Sequence, residues 1–170
     1  MGMQVKRDGD FNLKDYEEMR VNFSWDDMKE KFTWNDTGKV NIAYEALDKH
    51  AANPEKRDKI ALRFSSPECE EDVTFLELSK ESNRFANVLK KYRVDKGDRV
   101  FLFMPRSPEF YVAFFGILKT GAVAGPLFEA FMEQAVRDRL QDSGAKILIT
   151  TTELLERVPE DDLPDLEKIV

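Results

Sequence analysis

Residues 99–128 constrain the fold more than any other part of the sequence, because eighteen of these thirty residues are apolar. The first six, Arg-Val-Phe-Leu-Phe-Met, form an almost continuous apolar run that ends at Pro105. Such a run is typical of a β-strand that is covered on both faces. The stretch therefore predicts a buried strand in an α/β sheet, since a strand of this kind needs a layer of helix on each side.

A helix is predicted directly after this strand, over residues 108–120. Ser107 is a candidate N-cap, Pro108 occupies the first helical position, and Glu109 places an acid in the first turn. Gly121 is the expected C-terminal cap. Nearly every face of this helix is apolar, which a helix that faces solvent would not be.

The same rhythm continues toward the C-terminus. Residues 122–128 predict a second buried strand, residues 132–143 an amphipathic helix, and residues 146–150 a third strand. Alternation of strand and helix at this spacing is typical of βαβ units with a parallel sheet. Upstream, residues 60–64 and 73–75 predict two strands, and Thr74 with Glu77 has the spacing of a capping box for a helix that reaches Tyr92.

The first 58 residues have a different character. Trp25 and Trp34 each follow a Phe by two positions within a polar segment, and only residues 42–47 show a clear helical stripe. Isolated aromatic rings of this kind belong either to a strap that inserts them into another body or to a small local cluster. We expect an irregular or helical N-terminal strap over residues 1–58 and an α/β region over residues 59–170.

The α/β region has more apolar surface than its own layers cover. Residues 168–170, Lys-Ile-Val, also resemble the start of another strand. The fold class expected is therefore α/β, with βαβ units that form an incomplete parallel sheet. On this interpretation the chain is a piece of a longer polypeptide, truncated at residue 170.

Composition excludes several classes of protein. The formal net charge is −7 and no segment carries a basic stripe, so a nucleic acid is not an expected partner. The longest uninterrupted apolar run has six residues, far short of the ~20 that a membrane helix needs. Cys69 is the single cysteine, and no signal peptide is evident, which favours a reducing cytoplasmic location.

Candidate ligand contacts follow the predicted strands, since ligands of open α/β sheets bind beyond the carboxyl ends of the strands. Arg106 beside a helix N-terminus suits an anion, or is simply solvated while Ser107 caps the helix. Residues 127–131 either pack in the core or offer a platform of two rings. His50, the single histidine, is interpreted as structural. Both G-x-G-x-x-G and G-x-x-x-x-G-K-[ST] are missing from the sequence, and so is a cysteine or histidine set for zinc.

The order of several motifs resembles a known family. Residues 73–78 (VTFLEL) and 117–127 (ILKTGAVAGPL) resemble the first two core motifs of the adenylate-forming enzymes. Trp34 with residues 41–44 (NIAY), then residues 104–109 (MPRSPE) and 125–131 (GPLFEAF), narrow the resemblance to the bacterial AMP-forming acetate–CoA ligases. The likeness covers nearly the whole chain and corresponds to the N-terminal portion of such a ligase.

The resemblance implies an activity for the parent enzyme. Members of this family join acetate to ATP as acetyl-adenylate with release of pyrophosphate, and then transfer the acetyl group to coenzyme A (CoA). ATP, CoA and magnesium are the implied cofactors, with the remainder of the same chain and small-molecule substrates as partners. The family's phosphate loop, magnesium motif, ribose-binding acid and C-terminal lysine have no counterpart here. No catalytic or metal-binding residue is therefore assigned within the 170 positions.

One part of the family's CoA site does map onto this sequence. Its Phe-Gly-Gly-Phe turn corresponds to residues 128–131, and an arginine after the next strand corresponds to Arg157. The resemblance thus implies Phe128, Ala130 and Arg157 as CoA contacts, with Glu129 at most a backbone contact. Glu129 and Ala130 replace two glycines, and a carboxylate beside CoA phosphates is repulsive unless it points away.

Two other functions fit the residues. One is a free-standing module that binds CoA or a nucleotide. The other is an interaction fragment that self-associates through an exposed apolar helix over residues 108–120.

Overall fold

The computed structural model describes residues 15–170 and separates them into two units, which divide between Val40 and Asn41. In the first unit, three short helices follow one another: α1 (Tyr16–Asn22), α2 (Trp25–Lys29) and α3 (Trp34–Thr37). The side chains of Asp15 and Ser24 cap α1 and α2 by accepting backbone N–H groups. The boundary lies nearer the N-terminus than the predicted one after residue 58, and the domain assignment itself stays a prediction.

Each tryptophan of the first unit packs on the phenylalanine two residues before it. The rings of Phe23 and Trp25 meet edge to face at 5.0 Å, and those of Phe32 and Trp34 stack at 4.1 Å. Trp25 nevertheless remains 74% exposed. The sequence left two interpretations of these rings, a strap that inserts them into another body and a local cluster. The pairing of each tryptophan with the phenylalanine two residues before it favours local clusters.

The second unit opens with a π-helical turn (Tyr44–Asp48) that runs into α4 (Lys49–Ala52). An antiparallel hairpin follows, formed by β1 (Ile60–Ser65) and β2 (Glu70–Thr74). The predicted capping box is confirmed at the start of α5 (Phe75–Lys91). There the backbone N–H of Glu77 donates to Thr74 Oγ1 at 3.2 Å, and the backbone N–H of Thr74 donates to the Glu77 carboxylate at 2.9 Å.

A parallel sheet of four strands forms the rest of the second unit. Its strands are β3 (Arg99–Phe103), β4 (Val123–Pro126), β5 (Ile147–Thr150) and β6 (Lys168–Ile169), in the spatial order β4-β3-β5-β6. Helices α6 (Pro108–Thr120), α7 (Glu133–Ser143) and α8 (Thr152–Leu155) connect them. The predicted α/β class and its βαβ units are thereby confirmed, and residues 168–169 do form a strand.

Two hydrophobic cores lie on opposite faces of this sheet. Val100 and Leu102 of β3 pack with Ala113 and Ile117 of α6 and with residues of α5. Phe103 of β3 belongs instead to the core that contains Val136 and Leu140 of α7. Because successive side chains of a strand point to opposite faces, β3 is covered on both sides. The apolar run at residues 99–104 is explained by this position.

The structure differs from two predictions, which concern the length of the strand at residues 122–128 and the exposure of helix α6. The predicted strand over residues 122–128 is shorter, since β4 ends at Pro126 and the chain then turns. Helix α6 is also less exposed than self-association through it requires. Its large apolar side chains are buried or half-buried, and the exposed ones among the described residues belong to other segments. Within residues 15–170, no helix is both long and apolar enough to span a bilayer.

A buried lysine joins three elements of the second unit. Lys119 of α6 has a side chain that is only 8% exposed, and its Nζ lies 2.7 Å from a carboxylate oxygen of Asp48. The same ammonium donates to the backbone carbonyl of Ser79 at 3.1 Å and to Asn83 Oδ1 at 2.9 Å, both on α5. The π-helical turn, α5 and α6 are therefore held together by one cation.

We expect Lys119→Met to lower the free energy of unfolding by about 2 kcal/mol, because the change leaves the Asp48 carboxylate without its cation and the acceptors on α5 without this donor. Denaturant unfolding measures this loss. Arg84→Met is the matched control, since Arg84 pairs with Glu81 on an exposed surface where such a pair contributes about 0–1 kcal/mol. Equal losses in the two variants would contradict the clamping role of Lys119.

A second ion pair closes the amino-terminal edge of the sheet. Asp98 accepts a hydrogen bond from the backbone N–H of Asp95 and a second one from Lys146 Nζ at 2.6 Å. These two contacts, the backbone one first, hold the pKa of Asp98 below its ordinary value of 3.8. The hydrogen bond that Lys146 donates to this carboxylate likewise raises the pKa of Lys146 above its ordinary value of 10.5.

The sign of the resulting pH dependence follows from these directions. A carboxyl whose pKa is lower in the folded state stabilises the fold above its unfolded pKa, and loses that contribution as the pH falls through the folded value. We therefore expect Asp98→Asn to destabilise the chain by a constant amount between about pH 5 and pH 9, and the difference to shrink below about pH 4. Urea unfolding at pH 7 and pH 3 tests this, and an equal difference at both values would refute it.

Candidate ligand-binding cleft

The connections that leave β3 and β4 run to opposite faces of the sheet. The chain passes from β3 into α6, which packs in one core, and from β4 into α7, which packs in the other. Such a divergence opens a crevice beyond the carboxyl ends of the two neighbouring strands. Sheet order therefore places a binding position here before any side chain is considered.

An open cleft of about 700 Å³ occupies this position. Residues that follow β3 form one wall, residues that follow β4 form another, and the first turns of α6 contribute two rings. The lining residues are Met104, Pro105, Arg106, Phe110, Tyr111, Pro126, Leu127, Phe128 and Glu129. Aromatic and apolar walls with a few charges at the mouth are typical of small-molecule sites.

Residues 128–131 form a tight turn beside this cleft. The backbone N–H of Phe131 donates to the carbonyl of Phe128 at 3.0 Å, and the two rings meet edge to face at 5.8 Å. Just before the turn, the backbone N–H of Leu127 donates to the carbonyl of Leu102 on β3 at 2.8 Å. The turn is thus anchored to the sheet, while the Phe128 ring stays 58% exposed.

Arg157 reaches this turn from a distant part of the sequence. It follows α8, and its Nη1 donates to the backbone carbonyl of Glu129 at 3.0 Å. The structure therefore brings the three predicted contacts together: Phe128 and Ala130 lie in the same turn, and Arg157 is bonded to the residue between them. Arg157 contacts Glu129 through the backbone carbonyl, so the Glu129 carboxylate forms no ion pair with that arginine.

Arg106 lies at the opposite wall of the cleft. It is exposed and forms no ion pair with any of residues 15–170. Ser107 occupies the N-cap position of α6, yet its side chain does not accept a hydrogen bond from the first turn. Both sequence interpretations of Arg106, solvated side chain and anion contact, remain compatible with this geometry.

Arg139 is a residue of this region that sequence reasoning missed. Its guanidinium carbon lies 4.0 Å from the centroid of the Phe131 ring, and its Nη1 donates to the carbonyl of Ala135 at 2.8 Å. Arg139 and Ala135 are four positions apart on α7, but Phe131 lies in the turn before that helix, so no local pattern indicates that the guanidinium lies on its ring.

His50 and Thr150 have structural roles. The His50 ring packs against Phe75 at 5.2 Å, and burial is the main reason that its pKa is lowered. At the end of β5, Thr150 Oγ1 donates to the carbonyl of Phe103 at 2.7 Å and so ties two strand ends together. Among the described residues, no group of three or more His, Cys, Asp or Glu side chains is arranged to hold a metal ion.

Comparison with known proteins identifies the family. The model of the family described as "AMP-binding enzyme" matches residues 47–170, which include the sheet, the cleft and Arg157. The chain belongs to this family. The match confirms the resemblance to adenylate-forming enzymes that the motifs predict.

The relatives of this AMP-binding enzyme segment are longer proteins. It is 54% identical over 95% of its length to the acetyl-coenzyme A synthetase of Bacillus subtilis (strain 168), of which it spans 28%. A crystal structure of Brucella canis acyl-CoA synthetase superposes with a TM-score of 0.78 at 26% identity, covering 91% of this chain and 28% of that one. The anthranilate CoA ligase AuaEII, solved in complex with anthranoyl-AMP, gives a TM-score of 0.66 at 30% identity, over 75% and 24% of the two chains.

Proposed function

We propose that the chain is the N-terminal segment of an AMP-forming acetate–CoA ligase that works in the cytoplasm. The identity of 54% to a B. subtilis acetyl-coenzyme A synthetase, over nearly the whole segment, carries this proposal. The complete enzyme joins the acetate carboxylate to the α-phosphorus of ATP, which releases pyrophosphate. The thiol of CoA then attacks the carbonyl carbon of acetyl-adenylate, and AMP leaves.

A structural neighbour supports the adenylate step for the complete protein. AuaEII is described as a CoA ligase and was solved with an acyl-adenylate, anthranoyl-AMP. Because an acid–CoA ligase with this fold binds an acyl-adenylate, we infer that the complete protein also forms an acyl-adenylate before the acyl group is transferred to CoA. The acid used by the present protein, acetate, is inferred from the closer relatives.

The residues present do not fit ATP and magnesium. Neither phosphate-binding glycine motif occurs in the sequence, and among residues 15–170 the one carboxylate that lines the cleft is that of Glu129. We therefore assign no catalytic residue to this segment and expect the phosphate-binding and magnesium-binding groups in the remainder of the longer chain.

The residues at the turn do fit CoA. Phe128 presents an exposed ring, on which a flat heterocycle stacks favourably. Ala130 adds only a methyl group to the turn, so the backbone there stays accessible. Arg157 donates one N–H to a neutral backbone carbonyl, so its positive charge is not neutralised and attracts a phosphate. When bound, CoA supplies the thiol that accepts the acetyl group, while these residues bind and orient its nucleotide end.

Acetate-dependent exchange of pyrophosphate into ATP tests where catalysis lies. We expect the 170-residue chain to stay at background, because it lacks the groups that bind ATP phosphates and magnesium. The B. subtilis acetyl-coenzyme A synthetase serves as the positive control. Exchange well above background by the chain alone would show that the catalytic groups lie within it.

Arg157→Ala tests the CoA site. Titration of CoA into the unchanged chain should give saturable binding, and the variant should bind roughly tenfold more weakly, the loss expected for one charge-assisted contact. Arg84→Ala is the control, since Arg84 lies on the exposed face of α5 and pairs with Glu81. Loss of affinity in neither variant, or in both alike, would remove Arg157 from the site.

The alternatives differ from the proposal in sedimentation, ligand binding or the sequence that follows residue 170. A free-standing CoA or nucleotide-binding module would bind its ligand as the proposed segment does, with a melting temperature that rises with ligand concentration, but no ligase phosphate loop would follow it in the gene. A self-associating fragment would show concentration-dependent sedimentation and no ligand effect. A Ser/Gly/Thr-rich loop that ends in Lys, read from the gene beyond codon 170, would establish the ligase.

A further inference from the structure

The arginines around the turn at residues 128–131 differ in how their charge is compensated. Arg137 is surrounded by acids: its guanidinium lies 2.7 Å from the Glu133 carboxylate and 3.3 Å from that of Asp161. These neighbours neutralise it and raise its pKa. Arg137 therefore forms ion pairs with Glu133 and with the acidic loop around Asp161, and it is not available to a ligand.

Arg139 lies two positions further along the same helix and has different neighbours. Its guanidinium contacts the face of the Phe131 ring and the backbone carbonyl of Ala135, both neutral. It forms no ion pair with any of residues 15–170 and is exposed. Its positive charge is oriented by the ring beneath it, yet no anion of the described chain compensates it.

Arg157, in the segment after α8, is likewise bonded to a neutral group, the backbone carbonyl of Glu129, and forms no ion pair with any of residues 15–170. Two uncompensated guanidinium groups thus contact one four-residue turn, Arg139 at Phe131 and Arg157 at Glu129. Glu129 is the one acidic residue of the turn itself, and its carboxylate forms no ion pair with any of residues 15–170, so one negative charge stands against two positive ones. An excess of positive charge remains at the turn, although the whole chain carries a net charge of −7.

We propose that Arg139 is a second phosphate-binding residue of this turn, which acts with Arg157 on the phosphate groups at the nucleotide end of CoA. The inference rests on the proposed CoA site. A guanidinium stacked on a ring keeps its edge N–H groups free and pre-oriented, so little side-chain entropy is lost when they bind a phosphate. Phe131 holds the cation in place, and Phe128, in edge contact with Phe131, presents the exposed ring.

The test compares a charged ligand with an uncharged one. CoA and pantetheine, which lacks the phosphates, are titrated into the unchanged chain, Arg139→Gln, Arg139→Lys and the control Arg84→Gln. We expect Arg139→Gln to weaken CoA binding roughly tenfold, and to make it less sensitive to added salt. Pantetheine affinity should not change. Arg139→Lys, which keeps the charge, should recover most of the CoA affinity, and Arg84→Gln should match the unchanged chain.

Two results would overturn the role of Arg139 while leaving the CoA site intact. One is CoA affinity that is the same in Arg139→Gln as in the unchanged chain. The other is an equal loss for CoA and pantetheine, which would mean that Arg139 only positions the turn. Absence of CoA binding by the unchanged chain is a separate result, and it would overturn the proposed CoA site together with this inference.

Discussion

Burial of β3 on both faces is the constraint on which the rest of the second unit depends. Val100, Leu102 and Phe103 are fully buried, and they belong to two different cores. A strand that is apolar on both faces requires a helix on each side, so the connections after β3 and β4 must diverge. The cleft is the consequence of that divergence. The position of the cleft therefore follows from the packing of the sheet and not from the identity of the residues that line it.

The turn at residues 128–131 depends on this framework through backbone contacts. The bond from Leu127 to Leu102 ties its start to β3, and the bond from Arg157 to Glu129 ties its middle to the segment after α8. Both acceptors are backbone carbonyls, so neither contact depends on which side chain occupies the acceptor position. An arginine that binds a neutral acceptor orients itself without losing its charge, which suits a group that must also face a phosphate.

Much of the fold could be predicted from the sequence because its signals are local. The apolar run at residues 99–104, the Ser-Pro-Glu start of α6 and the capping box at Thr74 each depend on neighbours along the chain, and each is confirmed. Gly121 closes α6 with a φ of 81°, a conformation that favours glycine. The motif resemblance implied Phe128, Ala130 and Arg157 as CoA contacts, and that role stays a prediction.

Contacts between distant segments could not be predicted in this way. Lys119 meets Asp48 only because the π-helical turn docks on α5 and α6, and nothing in either local sequence indicates that pairing. The bond between Arg157 and Glu129 also joins residues far apart in the chain. The role of Arg139 was missed for a different reason. Its i, i+4 spacing from Ala135 was visible, but Phe131 lies outside α7, and a cation on a ring has no sequence signature that separates it from an ordinary exposed arginine.

The replacement of two glycines by Glu129 and Ala130 is explained by the backbone of the turn. Among the described residues other than glycine, positive φ values occur at Arg93 and Asp162, and therefore not at either of these positions. Since only a positive φ strongly favours glycine, Glu and Ala adopt this turn without strain. What the replacement changes is charge, because Glu129 adds a carboxylate beside the proposed phosphate contacts. A single cation would be offset by it, whereas the pair formed by Arg139 and Arg157 leaves a net positive charge for the ligand.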